Sequence, residues 1–271
     1  MLTVTLHRMI SVREQFLCQV ENPLRIRRMV KEYAGQTDYT HPHVLVDGKR
    51  LGWADPEDVG AIDFSTRRSY SGDGRIHLGP DGRPLNPYRT SAMIRGRGWL
   101  GHWGANFAAD PLITCTDEDG ALHVLLIKRP TGEWAYPGGF VDYGELATVT
   151  AVRELCEETG MDETAAQNIL RSGKILHQGI VDDPRSTQNA WTETTVVHAH
   201  IADADALRLR LDAGDDAQDV RWAKVRPELF KELIDVHHAF LLMALETLIS
   251  DGRIQAREYE TCFKALGYRF P

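Results

Sequence analysis

The chain predicts an α/β sandwich, with helices on both faces of a mixed β-sheet, preceded by a smaller cap-like region. Three observations carry that expectation. From Asp110 onward, short apolar runs of strand type alternate with longer runs of helical type, the pattern of layered α/β domains. The run from Leu146 to Thr159 has no Gly or Pro and meets Gly160 at its end, so it reads as a helix with a glycine stop. Residues 1–95 differ in texture, being rich in Gly, Pro, Asp and Arg from Tyr39 onward. The expected division is 1–95 as cap, 96–250 as the main domain and 251–271 as a helical extension.

In chain order, Val12 to Tyr33 reads as one helix, and Tyr39 to Arg97 as short strands and turns with little helical periodicity. Trp53, Phe64, Tyr70 and Ile76 there call for burial. Pro111 to Cys115 and Leu122 to Lys128 are apolar strands, joined by the turn residues Asp117-Glu118-Asp119-Gly120. Glu133 to Gly144 is a loop into the Leu146–Thr159 helix. Lys174 to Val181, Ala190 to Ile201 and Val220 to Val225 follow as strands. Glu228 to Ser250 has apolar residues at helical spacing and reads as one long helix, with Glu258 to Leu266 a last short one. There is no internal repeat or low-complexity tract.

Composition narrows the function classes. With 42% hydrophobic residues among 271, the chain can bury one large core, or a catalytic domain and a smaller one. A formal charge of −8 argues against general binding of nucleic acid or acidic membranes. No apolar run is long enough to span a bilayer. Cys18, Cys115, Cys156 and Cys262 form no C-x-x-C pair, which gives no hint of zinc or a disulfide framework and suits a reducing cytoplasm. The first sixteen residues place Glu14 soon after basic residues and lack an apolar core, so a secretory signal is not expected.

The chemistry concentrates at residues 139–161, GFVDYGELATVTAVRELCEETGM. At roughly 100° per residue, Glu154, Glu157 and Glu158 share about one third of the helix circumference. Val149, Val152, Leu155 and Cys156 lie opposite and are expected to pack on the sheet. Three adjacent carboxylates repel one another without a counter-charge; they suit hard cations such as Mg²⁺ or Mn²⁺, which in turn neutralise phosphates. A merely solvated acidic face explains neither the glycine turn before the helix nor the single Arg153 among the acids.

Gly139, Glu145, Arg153-Glu154-Leu155, Glu157-Glu158, Gly160 and Met161 match G-x5-E-x7-R-E-U-x-E-E-x-G-U at every specified position, U being aliphatic. The segment is thereby identified as a Nudix box. Three further stretches, GRGWLGHWGANFAADP (96–111), VDDPRSTQNAWTET (181–194) and AGDDAQDVRW (213–222), resemble the ADP-ribose pyrophosphatases of mitochondrial type. They are similar also to the Nudix domain fused to melastatin-type cation channels. The resemblance spans about residues 85–240 and implies Mg²⁺-dependent hydrolysis of ADP-ribose to AMP and ribose 5-phosphate. It implies that Glu154, Glu157, Glu158 and the Gly139 carbonyl ligate the cation, and that Glu145 and Arg153 are the pair that orients them.

Several roles stay open on the residues alone. The water's proton goes to Glu157, to Glu158, or to a loop acid, Asp215 or Asp216, whose bland reading is a turn cap. Glu193 is a third candidate, with a cross-strand partner as its alternative. Asp183 and Arg185 match positions that contact ADP-ribose in the channel relatives; an Arg offers a planar fork to phosphate. Asn106 and His237 match other ligand-facing positions, though a His on an apolar helix is commonly structural. Trp103 and Trp191 either stack on adenine or seal the core. Ile234 stands where the relatives carry an aromatic residue. Two other readings compete with the ADP-ribose pyrophosphatase: a Nudix enzyme for another dinucleotide, NADH or a diadenosine polyphosphate, and a non-catalytic ADP-ribose sensor. The unbroken Arg153–Glu158 run weighs against the sensor. Oligomeric state has no signature in the sequence.

Overall fold

The computed structural model describes residues 37–88, 94–214, 217–268 and 270; the helix expected over Val12 to Tyr33 lies outside them. Strands β1 (Asp38–Thr40) and β2 (Arg95–Gly98) form a small parallel pair. The main sheet has seven strands: β3 (Gly104–Thr116), β4 (Leu122–Lys128), β5 (Trp134–Ala135), β6 (Gly139–Phe140), β7 (Lys174–Ile180), β8 (Ala190–Ile201) and β9 (Asp219–Lys224). The path runs β5-β4-β3-β8-β7, with β6 added to β3 and β9 to β4. β3 and β8 are parallel and central, while the other pairings of this sheet are antiparallel, so the sheet is mixed as expected.

β3 begins earlier than the apolar run Pro111 to Cys115 suggests. The small residues from Gly104 to Ala109 carry little strand propensity and become a strand by pairing with β8. Pro111 falls where the antiparallel neighbour changes from β6, at Ala109↔Gly139, to β4, at Thr114↔Val124, so neither of those ladders calls on its missing N–H.

Helices α1 (Ala147–Thr159) and α2 (Glu163–Leu170) cover one face, burying Leu155 and Ala166 against Ile113, Leu125 and Ala199. Helix α3 (Asp235–Ser250) covers the other with Phe240 and Leu241 against Leu112, Leu126 and Val196. Ala239 to Leu245 are all buried, because α4 (Ala256–Ala265) closes the side of α3 away from the sheet. Residues after 250 are therefore part of the main core: Tyr259, Cys262 and Phe263 are buried, and the Tyr259 hydroxyl accepts from the Leu122 N–H at 3.0 Å.

The long helix expected over Glu228 to Ser250 is broken. One tight turn, Pro227–Lys231, is followed by extended backbone at Ile234, whose N–H donates to the Trp134 carbonyl, while the Trp134 N–H donates to Glu232. Those bonds to β5 take backbone groups that a continuous helix would use. The break puts His237 in the first turn of α3.

Among the described residues before 95, β1 is the only strand, and short helical turns lie at Val44–Gly48, Lys49–Leu51, Val59–Ala61 and Phe64–Thr66. Asp58 and Asp63 start two of these by accepting from the N–H of Gly60 and Ser65, a local bond that spacing of apolar residues does not reveal. Phe64 is buried and Ile76 packs on the main core, but Trp53 and Tyr70 stay partly exposed, against expectation. Among the described residues no helix is long and apolar enough to cross a membrane.

Candidate active site

Helix α1 presents its carboxylates at the edge of the sheet rather than wholly to solvent. Its buried stripe runs through Ala151, Leu155 and Thr159 and takes in Glu154 and Glu158, at 7% and 4% exposure, whereas Glu157 stays open. Val149, expected to pack on the sheet, is instead half-exposed.

Arg153 gathers the acids. Its Nε and Nη2 donate to the two oxygens of Glu145, each at 3.2 Å, and its Nη1 donates to Glu154 at 2.7 Å and to Glu157 at 2.9 Å. Nη2 also donates to the Phe140 carbonyl at 3.1 Å. Hydrogen bonding from Arg153 holds the Glu145 carboxyl below the usual range, with Thr150 and the Asp142 N–H adding to it. The same bonds keep Arg153 charged.

The Gly138–Gly139 turn meets this cluster from the sheet side. The Gly138 N–H donates to Glu158 Oε2 at 2.8 Å. A Cβ at Gly139 would come within 2.4 Å of Glu154 Oε1, so only glycine lets the backbone lie this close to the carboxylate. On the far side of the turn lies Asp110, a residue that sequence reasoning did not single out. A Cβ at Gly138 would stand 2.4 Å from its Oδ1. Burial pushes the Asp110 carboxyl up to about 6, with Asp183 acting the same way, against the Thr194 hydroxyl bond and the charges of Arg129 and Arg185.

His237 is buried beneath the same turn. Its Nδ1 accepts from the Tyr136 N–H at 3.0 Å, and the two rings stack at 4.3 Å. Nε2 is then the protonated nitrogen, and it faces Asp110 Oδ1 at 4.0 Å. Burial pushes the imidazole down to about 3, so this approach involves a neutral ring and is no ion pair.

Asp183 and Arg185 stand beside this group. Arg185 Nη2 donates to Asp183 Oδ2 at 2.6 Å, and its Nε and backbone N–H donate to Oδ1 at 3.0 and 2.8 Å. Burial raises the Asp183 carboxyl, but the Arg185 charge and bonds outweigh it and the net shift is downward. The Arg185 guanidinium lies 4.8 Å over the Phe140 ring, so β6 has Arg185 against its side chain and Arg153 on its carbonyl.

Other candidates are committed elsewhere. Both amide protons of Asn106 are given to the carbonyls of His102 and Gly104, and its oxygen accepts from the His102 N–H; it clasps a loop. Trp103 and Trp191 are sealed in the core. Glu193 is fully buried and accepts from Ser69 Oγ, the Tyr70 N–H and Trp191 Nε1 at 2.5, 2.5 and 2.8 Å, which makes it a fastener between cap and sheet. Asp215 and Asp216 lie outside the described residues, although Gly214 before them packs on the Glu157 backbone.

The donor set fits a hard divalent cation. Three carboxylates, Glu145, Glu154 and Glu157, share the Arg153 guanidinium, and Glu158 joins them through the Gly138 N–H; burying Glu154 and Glu158 in such a cluster is costly without further positive charge. All the donors are oxygens, as Mg²⁺ and Mn²⁺ prefer. Among the described residues no three such groups form a ready-made cage. Arg153 Nη1 stands between Glu154 and Glu157, and the exposed Glu157 side chain is the one able to swing from it toward an ion.

The NUDIX domain profile matches residues 107–240. A Caenorhabditis elegans protein assigned as nudix hydrolase 6 is 38% identical over 220 residues, covering 75% of this chain and 82% of that one. The mitochondrial ADP-ribose pyrophosphatase of Rattus norvegicus is 34% identical over 244 residues, covering 77% of this chain and 67% of that one. A transient receptor potential cation channel, subfamily M member-like 2, of Nematostella vectensis is 36% identical over 182 residues, 59% of this chain and 12% of the channel.

Proposed function

The chain belongs to the Nudix hydrolase family, and we propose that within it this protein hydrolyses ADP-ribose to AMP and ribose 5-phosphate, using Mg²⁺ or, in its place, Mn²⁺. The observation that carries the reading is Arg185, held by Asp183 over Phe140, on the strand next to the carboxylate cluster. A guanidinium in that position supports a reading in which phosphate is bound beside acids suited to a cation, as a diphosphate bridge requires. The likeness to the rat ADP-ribose pyrophosphatase supports the choice of diphosphate.

In this mechanism Glu154, Glu157, Glu158 and the Gly139 carbonyl would hold the cation. When bound, it neutralises the diphosphate and makes the attacking water more acidic. Arg153 fixes Glu145 and Glu154 in one geometry, and the Gly138 N–H fixes Glu158. Arg185 binds the diphosphate and offsets charge on the departing phosphate. The water's proton passes to an acid of the cluster. Glu157 is the one with open access, and Asp216 is the loop acid that competes for the role. We place the enzyme in the cytoplasm, where free thiols at Cys115, Cys156 and Cys262 persist; cell fractionation checks this.

One assay tests the substrate. ADP-ribose, NADH and diadenosine tetraphosphate are incubated in parallel with protein and Mg²⁺, and products are resolved by chromatography. AMP and ribose 5-phosphate are expected from ADP-ribose at the highest kcat/KM, and EDTA is expected to abolish them. Equal or faster turnover of NADH rejects the substrate; tight ADP-ribose binding with no product over hours makes the protein a sensor.

A further inference from the structure

The Gly138–Gly139 turn is gripped between two layers. On the α1 side it meets Glu154 at Gly139 and gives its Gly138 N–H to Glu158. On the other side a Cβ added at Gly138 would stand 2.4 Å from Asp110 Oδ1 and 2.8 Å from the Ala109 carbonyl oxygen, so the turn has no space there for even one added carbon. Asp110 cannot shift freely: the Thr194 hydroxyl donates to Oδ2 at 2.5 Å, and His237 Nε2 faces Oδ1. His237 is fixed in turn by the Tyr136 N–H, two residues before the turn. The contacts close a ring, from Tyr136 through His237 and Asp110 to Gly138.

We propose that Asp110 is a positioning residue: wedged behind the Gly138–Gly139 turn and backed by His237 and Thr194, it sets how far the turn stands from α1. Through that distance it aligns the Gly139 carbonyl and Glu158 for a divalent cation. The wedge acts by its length and shape. Its charge is not the operative property: among the described residues the carboxylate is bonded by the Thr194 hydroxyl and faces the neutral His237 ring, while Arg129 and Arg185 act on it only through space. His237 belongs to the same support.

The inference rests on the metal-dependent hydrolase reading but does not depend on ADP-ribose as substrate, so cation binding is measured by itself. Mn²⁺ titration by calorimetry on the full chain compares wild type with two conservative variants. Asp110→Glu keeps the charge and lengthens the wedge by one carbon; it is expected to weaken Mn²⁺ binding roughly 10- to 100-fold, the usual effect of displacing a group that supports metal ligands. Asp110→Asn keeps the shape and removes the charge; it is expected to bind within about threefold of wild type. With ADP-ribose, kcat should fall in Asp110→Glu while KM stays within about twofold. A residue that only stabilises the fold would shift the melting temperature and leave Mn²⁺ affinity alone. Wild-type affinity in Asp110→Glu overturns the proposal, and so does a loss in Asp110→Asn equal to that in Asp110→Glu. A wild type that binds Mn²⁺ yet leaves ADP-ribose intact refutes the substrate instead. One that binds no Mn²⁺ removes the metal reading and this inference with it.

Discussion

Glu157 and Glu158 are neighbours in sequence with opposite surroundings. Glu158 is buried and bonded to the Gly138 N–H, while Glu157 is open to solvent and accepts from Arg153. Their substitutions should therefore separate. Glu157→Gln is expected to lower kcat on ADP-ribose by about two orders of magnitude or more, with a melting temperature within about 2 °C of wild type, since an exposed ion pair contributes little to stability. Glu158→Gln is expected to lose activity to a similar degree. Steady-state kinetics and thermal scans on both variants check this; near-normal turnover in both would remove these residues from the site. These two candidates were legible because the spacing of the box is local. Asp110 was not, because it lies 28 residues before Gly138 and nothing in the GANFAAD run marks its carboxylate as the support of a distant turn.

At the scale of elements, helix α1 depends on its end. Gly160 adopts φ +67°, and its N–H donates to the Cys156 carbonyl. A Cβ there would meet the Asp212 carbonyl oxygen at 2.8 Å. Gly160→Ala is expected to cost more than about 1 kcal/mol in urea unfolding, the usual left-handed penalty with a steric clash added; an unchanged midpoint would contradict this. Helix α3 shows the opposite case. Apolar periodicity ran through Glu228 to Ser250, yet backbone bonds to Trp134 end the pattern at Ile234. A hydrophobic repeat records which side chains are apolar, and a continuous helix and a turn followed by a helix can bury many of the same ones.

For the whole molecule, attachment of the cap and burial of histidines govern stability. Glu193 accepts two bonds that join Ser69 and Tyr70 of the cap to the sheet, and a third from Trp191 of its own strand. Glu193→Ala leaves those donors unpaired and is expected to cost about 2–4 kcal/mol, read from the denaturant midpoint. His198 is held neutral by burial, helped by His200 and Lys174, and is pushed down to about 3 from 6.5. Between those values the unfolded chain takes a proton that the folded chain refuses. Stability therefore falls as pH drops from about 6.5 to about 3, by about 1.4 kcal/mol per pH unit for one such group, and is fully present above 6.5. His237 adds in the same direction. Chemical denaturation across this range should show a slope shallower by about that amount in His198→Asn; an identical slope would mean that His198 does not stay neutral.

The sequence by itself determined the acidic helix, its glycine stop, the run of central strands and the family, because each rests on spacing between near neighbours and a helix or strand converts spacing into direction. Only the tertiary structure decided which side of that helix is buried, so that Glu154 and Glu158 lie against the Gly138–Gly139 turn while Val149 faces water. It also decided that Glu193 fastens the cap, that Asn106 closes a loop, and that Asp110 and His237 stand behind the Gly138–Gly139 turn. Those placements arise from contacts between segments far apart in the chain, where the order of residues carries no distance.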